Sequence, residues 1–388
     1  MSLSRRTFVS TLAAGAASGA FISARGREGM RGLWSHIEAP AYAAGNPIIL
    51  SSNENPLGAG PVVIDAVRKA LGAGGPGGRY PQFVQRGLQE TIAKKFGVKP
   101  ENVHVGCGST QILRDMTQLF TSKTKALVGS IPTYEECAGY AQLIGSPVTG
   151  VTLNSALAMD LDATVAAARG AGLIFYCNPN NPTATVHTPS DTDAFIKRVH
   201  DTSPDTMILV DEAYIDYVTA PGHKSEVERA ITDPQVIVAR TFSKAYGMAG
   251  LRVGYAIGHT ETIAKLAAWS RGEFMLNIAG LEAASAALGQ DASFLENERA
   301  RNAEARSYTR DFFRKSGYQD TESQTNFLFV DVKRPLADVQ KACRQQGVLV
   351  GRPFPPLTNY ARISIGTMEE MKRAVKVFGD VLKARAVA

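Results

Sequence analysis

The residues around Lys244 carry the clearest chemical potential in this chain. Thr241-Phe242-Ser243-Lys244-Ala245-Tyr246-Gly247-Met248-Ala249-Gly250 places an amine beside two hydroxyls, with Arg252 two residues further on. The preceding run Gln235-Val236-Ile237-Val238-Ala239 is apolar and β-branched, as expected of a buried strand. A lysine just past such a strand is poorly solvated, which lowers its pKa and frees the amine as a nucleophile. The hydroxyls of Thr241 and Ser243 and the guanidinium of Arg252 suit a phosphate. A lone Ser-Lys pair would read as a surface loop. An amine able to form a Schiff base beside a phosphate cup instead points to pyridoxal phosphate.

Other candidates fit around that cofactor. Gly106-Cys107-Gly108-Ser109-Thr110 follows a strand-like run and opens a helix-like one, so backbone N–H groups at Gly108, Ser109 and Thr110 would meet the phosphate. Asp211, in Asp211-Glu212-Ala213-Tyr214, ends an apolar strand and suits the carboxylate that keeps a pyridine nitrogen protonated. Tyr214 and Asn181, the latter in Asn178-Pro179-Asn180-Asn181-Pro182-Thr183, would hydrogen-bond the ring's phenolic oxygen. Tyr134, after Pro132-Thr133, would stack on the ring face.

Strand-like and helix-like segments alternate from about residue 100. Strands are expected at 103–105, 126–128, 148–153, 173–176, 207–210, 236–239 and 253–257, with helices at 61–71, 112–120, 135–143, 162–168 and 191–199. Such alternation implies an α/β fold with a mostly parallel sheet covered on both faces, and ligands in open sheets of this kind sit outside the strands' carboxyl ends. Beyond residue 277 the texture changes to helices at 278–288 and 294–315, strands at 326–330 and 362–365, and a closing helix at 368–384, as in a smaller α+β domain. The expected organisation is a leader and spacer at 1–43, an arm at 44–75 that includes an extended, turn-rich stretch over 46–60, a large cofactor-binding domain at 76–275 and a small domain at 276–388.

Composition narrows the partners. The formal charge of +6 is small for 388 residues, and residues 1–43, with five arginines and two glutamates, supply half of it. No basic stripe remains for nucleic acid. The four cysteines, Cys107, Cys137, Cys177 and Cys343, have neither disulfide-framework nor metal-site spacing and are expected to be free thiols.

Together these motifs resemble pyridoxal-phosphate-dependent aminotransferases of fold type I (class I/II), and among them the histidinol-phosphate aminotransferase-like group. The resemblance runs from about residue 46 to the C-terminal helix and includes Ser52-Asn53-Glu54-Asn55-Pro56-Leu57-Gly58, Arg79-Tyr80-Pro81 and Ala361-Arg362-Ile363-Ser364-Ile365-Gly366-Thr367. It implies transamination from an amino donor to a 2-keto acid, with Lys244 forming the Schiff base and then moving the proton. It implies Arg362 as the arginine pairing with the substrate carboxylate, with Asn53 and Arg352 also on the substrate side. It further implies a homodimer in which Tyr80 reaches the neighbouring subunit's cofactor phosphate. Ala184 departs from the glycine usual after Asn-Pro-Thr, and Ser109-Thr110-Gln111 replaces a more acidic stretch. Similar sequences include decarboxylases, oxidases and epimerases. A non-catalytic binding protein would be expected to have lost the lysine or the aspartate, and both are present.

At the N-terminus, Ser4-Arg5-Arg6-Thr7-Phe8-Val9 resembles a twin-arginine export motif. The Ala/Gly-rich stretch after it is too short and too weakly apolar for a membrane span, and Ala41-Tyr42-Ala43 offers a signal-peptidase site. Engagement with the twin-arginine translocation machinery and a periplasmic location are therefore expected. An exported enzyme would not meet a cytoplasmic biosynthetic intermediate, so an amino acid or related amine is the expected donor.

Overall fold

The computed structural model describes residues 47–270 and 274–383. The export motif and its cleavage site lie outside the described residues. From Ile48 onward the chain packs as one unit.

The strands in chain order are β1 (Ile48–Leu50), β2 (Val103–Cys107), β3 (Leu127–Ile131), β4 (Val148–Thr152), β5 (Leu173–Cys177), β6 (Met207–Asp211), β7 (Val236–Thr241), β8 (Val253–Gly258), β9 (Gln319–Asp320), β10 (Phe327–Asp331), β11 (Val348–Val350) and β12 (Tyr360–Ser364). Seven of them form one sheet in the order β2-β8-β7-β6-β5-β3-β4, parallel except for β8, which runs antiparallel to both neighbours. The central strands read Leu-Ile-Phe-Tyr-Cys and Met-Ile-Leu-Val-Asp and are buried throughout, as strands covered on both faces must be. Separate apolar clusters lie against the sheet, one containing Ile174, Val210 and Val238 and another Leu173, Leu209 and Ile237, in keeping with the alternation of side chains along a strand.

The register decides where chemistry can gather. Cys177 pairs with Asp211, Asp211 with Ala239, Thr241 with Gly254, and Val253 with Cys107. The carboxyl ends of β2, β5, β6 and β7 therefore meet the start of β8 along one edge of the sheet.

A three-stranded antiparallel sheet, β12-β10-β9, has its own apolar cluster with Phe313 and Phe378 from the helices Ser293–Lys315 and Met368–Lys383. The expected extended stretch over 46–60 contains β1, which pairs in parallel with β11, Ile48 opposite Val348. Helices at Gln82–Phe96, Thr260–Trp269 and Leu336–Gln345 were not foreseen. In the first, Leu88 and Ile92 form the buried seam while charged residues dilute the apolar pattern. Gly97, in the left-handed region at φ 66°, ends it.

Candidate active site

The phosphate cup is assembled where β2 and β7 meet β8. Gly108 lies in the left-handed region at φ 69°, donates its N–H to Arg252 O at 3.0 Å, and would place a Cβ 2.5 Å from Arg252 Nη2. A side chain at Gly254 would likewise run into the backbone of Ser109. Two glycines thus let the start of the helix Gly108–Phe120 lie directly against the arginine turn. That helix has no side-chain cap at its N-terminus, so the N–H groups that follow Gly108 are available to an anion. Opposite them, Arg252 Nη1 donates to Ala249 O at 2.8 Å and reaches Ser243 Oγ at 3.4 Å. Thr241 Oγ1 donates to Ser243 Oγ at 2.9 Å, completing the polar rim. The Gly108 N–H, expected to meet the phosphate, is already donated to Arg252 O, so the donor set that fits a phosphate monoester is the uncapped helix start beyond it, two hydroxyls and a guanidinium.

Lys244 stands beside this cup. Its Nζ lies 3.4 Å from Ser52 O and 5.5 Å from the centroid of the Tyr214 ring. Desolvation, followed by repulsion from Arg362, lowers its pKa from the usual 10.5 to about 8, even though Glu54 and Asp211 oppose the shift. At the end of the neighbouring strand Asp211 is buried and accepts the Ala213 N–H at 3.1 Å. Burial pushes its carboxyl up to about 7, against the opposing pull of the Ala213 N–H and Lys244. An ionised carboxylate is costly there unless a cation meets it, and a protonated pyridine nitrogen is such a partner. Tyr134 hydrogen-bonds Thr110, and burial raises its phenol to about 12.

Tyr214 is buried and accepts a hydrogen bond from Asn53 Nδ2 at 3.1 Å, which leaves its own hydroxyl proton free to be donated. Burial raises its pKa, so it stays a neutral donor. Asn53 holds the arm in place: its N–H donates to Ser364 Oγ at 2.8 Å, its Oδ1 accepts from Ser364 Oγ at 3.0 Å, and its carbonyl accepts from Asn326 Nδ2 at 2.9 Å. It does so at φ 56°, in the region that asparagine tolerates better than most residues. Asn55 Nδ2 reaches Ala245 O at 3.0 Å, and Gly247 has no room for a side chain against the backbone of Gly58. The asparagine arm is thereby pinned to the lysine loop.

On the substrate side, Arg362 Nη1 donates to Asn181 Oδ1 at 2.8 Å and Nη2 to Ser51 O at 2.7 Å. Its Nε is buried without a partner. Desolvation lowers this guanidinium's pKa from 12.5 to about 10, so it remains a cation at neutral pH. With Oδ1 occupied, the Asn181 amide N–H₂ is left to donate. Arg352 lies near Arg362, as expected, but is already engaged by Glu135.

The structure therefore brings together Gly108, Ser109, Thr110, Tyr134, Asn181, Asp211, Tyr214, Thr241, Ser243, Lys244, Arg252, Arg362 and Asn53. Tyr80 stands apart: it is 75% exposed and packs edge-on against Phe274 at 5.9 Å. Sequence reasoning missed Glu135, Phe354, Asn326 and the role of Ser364. Only Ser364 lay within a recognised motif, and none of the four has a local pattern that marks it.

A parallel-sheet edge bearing this lysine, carboxylate and phosphate cup defines the class. The chain belongs to the class I and II aminotransferases, whose family model matches residues 46–378. It is a pyridoxal-phosphate-dependent aminotransferase with the fold of type I enzymes. Among its relatives, the histidinol-phosphate aminotransferase of Symbiobacterium thermophilum is 36% identical over 86% of this chain and 89% of that protein. Histidinol-phosphate aminotransferase 2 of Methylococcus capsulatus is also 36% identical, over 85% and 89%. The crystal structure of the Sinorhizobium meliloti histidinol-phosphate aminotransferase in complex with pyridoxal-5'-phosphate superposes with a TM-score of 0.80 at 27% identity, covering 88% of this chain and 92% of that one. The L-threonine-O-3-phosphate decarboxylase of Porphyromonas gingivalis shares the fold, with a TM-score of 0.74 at 21% identity over 87% and 100%.

Proposed function

We propose that Lys244 is the amine that carries the cofactor and then moves the proton at the donor's α-carbon, and that the donor is an amino acid or a related amine. The observation that carries this reading is the pairing of Lys244 and Asp211 at the ends of adjacent strands, one with a lowered pKa and one with a raised pKa. When bound, pyridoxal phosphate supplies an electron sink for the carbanion left at the α-carbon. Asp211 would hold the pyridine nitrogen protonated. Tyr214 and Asn181 would donate to the phenolic oxygen, and Tyr134 would cover the ring. The first turn after Cys107, with Thr241, Ser243 and Arg252, would anchor the phosphate. Arg362 would hold the donor's carboxylate on the Lys244 side of the site, and Lys244 is an amine close to half free at pH 8 and so suited to both take and return a proton.

The test is borohydride reduction of the purified holoprotein followed by peptide mapping. The cofactor should be trapped on Lys244, and a Lys244→Ala protein should trap none. Covalent label elsewhere in the variant overturns the assignment.

The reading extends to assembly and location. Leu57, Tyr80, Phe83, Phe274 and Met275 are exposed apolar or aromatic side chains, which supports a homodimer with Tyr80 entering the neighbouring site. A monomer in sedimentation at micromolar concentration would refute it. Arg5-Arg6 and the small-residue stretch that follows support twin-arginine export of the folded protein to the periplasm. Export that survives replacement of both arginines by lysine would refute that.

A further inference from the structure

The substrate side carries two guanidinium groups over one aromatic ring. Arg352 Cζ lies 4.2 Å and Arg362 Cζ 4.8 Å from the centroid of Phe354. Their surroundings differ. Arg362 is held only by the neutral oxygens of Asn181 and Ser51 and keeps a buried, unpartnered Nε. Arg352 donates to Pro353 O at 3.0 Å and closes an ion pair with Glu135. Glu135 directly follows Tyr134 and occupies the N-cap position of the helix Glu136–Leu143, where its side chain makes no capping hydrogen bond and its carboxylate turns instead to Arg352. Both members of the pair remain partly accessible, with side chains 28% and 39% exposed.

We propose that Glu135 is a specificity-determining residue: by pairing with Arg352 it cancels the second cation of the substrate pocket, so that donors with one carboxylate and an uncharged side chain are accepted and doubly anionic donors are disfavoured. This rests on Arg362 as the carboxylate site. A second anion brought to Arg352 must break a charge-assisted pair and sit beside the displaced carboxylate of Glu135, an arrangement of like charges that interfaces use to reject wrong partners. Without the Glu135 charge, both guanidinium groups, 4.2 and 4.8 Å from the Phe354 centroid, are open to the two ends of a short diacid.

The test compares succinate with butyrate, which share a four-carbon chain and differ by one carboxylate. Both are titrated calorimetrically into the cofactor-loaded full chain, so the readout is binding and not turnover. The wild-type protein should bind the two within about threefold of each other. Glu135→Gln and Glu135→Ala should each shift the ratio of dissociation constants at least tenfold toward succinate, and adding Arg352→Met should remove that gain. A purely structural role for Glu135 would not produce a shift that depends on Arg352. The proposal is overturned if both variants stay within threefold of the wild-type ratio, or if the wild type already prefers succinate more than tenfold. It is also overturned if no form binds either anion. Failure of the Lys244 assignment would show separately, in the borohydride trapping done before any titration.

Discussion

At the cofactor end of the site, Asp211 and Lys244 follow paired strands of one sheet, and the cup closes through backbone contacts between Gly108, Gly254 and Arg252. At the substrate end, Arg362 meets the Asn181 side chain and the Ser51 carbonyl, and Arg352 meets Glu135, all arriving from distant segments. The first end is fixed by strand register and by close backbone approaches at its glycines, so that Asp211 or Lys244 can be changed there while Gly254 and Gly247 cannot. The second depends on reciprocal hydrogen bonds and ion pairs, so that changing one member alters what the others bind. The first end buries the carboxyl of Asp211 with one backbone donor, whereas the second sets an isolated cation, Arg362, beside a paired one, Arg352.

The sharpest break in this comparison is Asp211→Asn. An amide cannot hold the ring nitrogen protonated, and turnover should fall by about a thousandfold, roughly 4 kcal/mol. The same change should stabilise the cofactor-free protein at pH 8 by about 1–3 kcal/mol, because a buried carboxylate with one backbone donor gives way to a neutral isostere. The sign follows from linkage. The folded carboxyl titrates near 7, above its unfolded value, so its contribution to stability is fully present at low pH and is lost as the pH rises through 7. Denaturant unfolding of the cofactor-free proteins at pH 5 and pH 8 measures it. A variant that gains nothing between those pH values would mean that Asp211 is not isolated in the way the fold implies.

Arg362→Met probes the other end and should have a smaller effect. Loss of one bidentate charge-assisted contact should lower kcat/KM for carboxylate donors by about a hundredfold, roughly 3 kcal/mol. It should also raise the Lys244 pKa above its value of about 8, since Arg362 is the largest charge lowering it. The pH dependence of cofactor attachment to the cofactor-free chain reports this shift. An unmoved midpoint would separate the two groups electrostatically and undo the link between the two ends.

The same contrast explains what could be read from the sequence. Asp211, Lys244 and the Gly108 turn were legible because each follows a short, mostly apolar and β-branched run, and a strand's end locates its last side chain. The motif around Arg362 was legible only by resemblance. Glu135 was not legible at all: its partner lies 217 residues away, and a Tyr-Glu-Glu sequence at a helix start looks like ordinary capping. The bonds from Asn53 to Ser364 span 311 residues, so the arm's motif was visible but not what it grips. Gln111, noted in sequence as a departure from acidic usage, accepts the Cys107 N–H at 2.7 Å and donates to Ser270 at 2.9 Å. It ties down the start of the cup helix without adding negative charge beside the phosphate.

The smallest expected effect is at Ala184, where the two ends touch. It is buried against Tyr214 and Phe327 at φ 61°, a conformation that explains the preference for glycine there. A left-handed alanine costs roughly 1–2 kcal/mol. Replacing it with glycine relieves that strain but restores about 0.5–1 kcal/mol of chain entropy to the unfolded state. It also removes a buried methyl worth about 1 kcal/mol from the Tyr214 cluster. The terms nearly cancel, so Ala184→Gly should change unfolding free energy by less than about 1 kcal/mol. A gain above 2 kcal/mol would show that the methyl packs poorly and that Tyr214 is held by Asn53 alone. A comparable loss would show the reverse, that packing from Ala184 fixes the phenol that both ends of the site share.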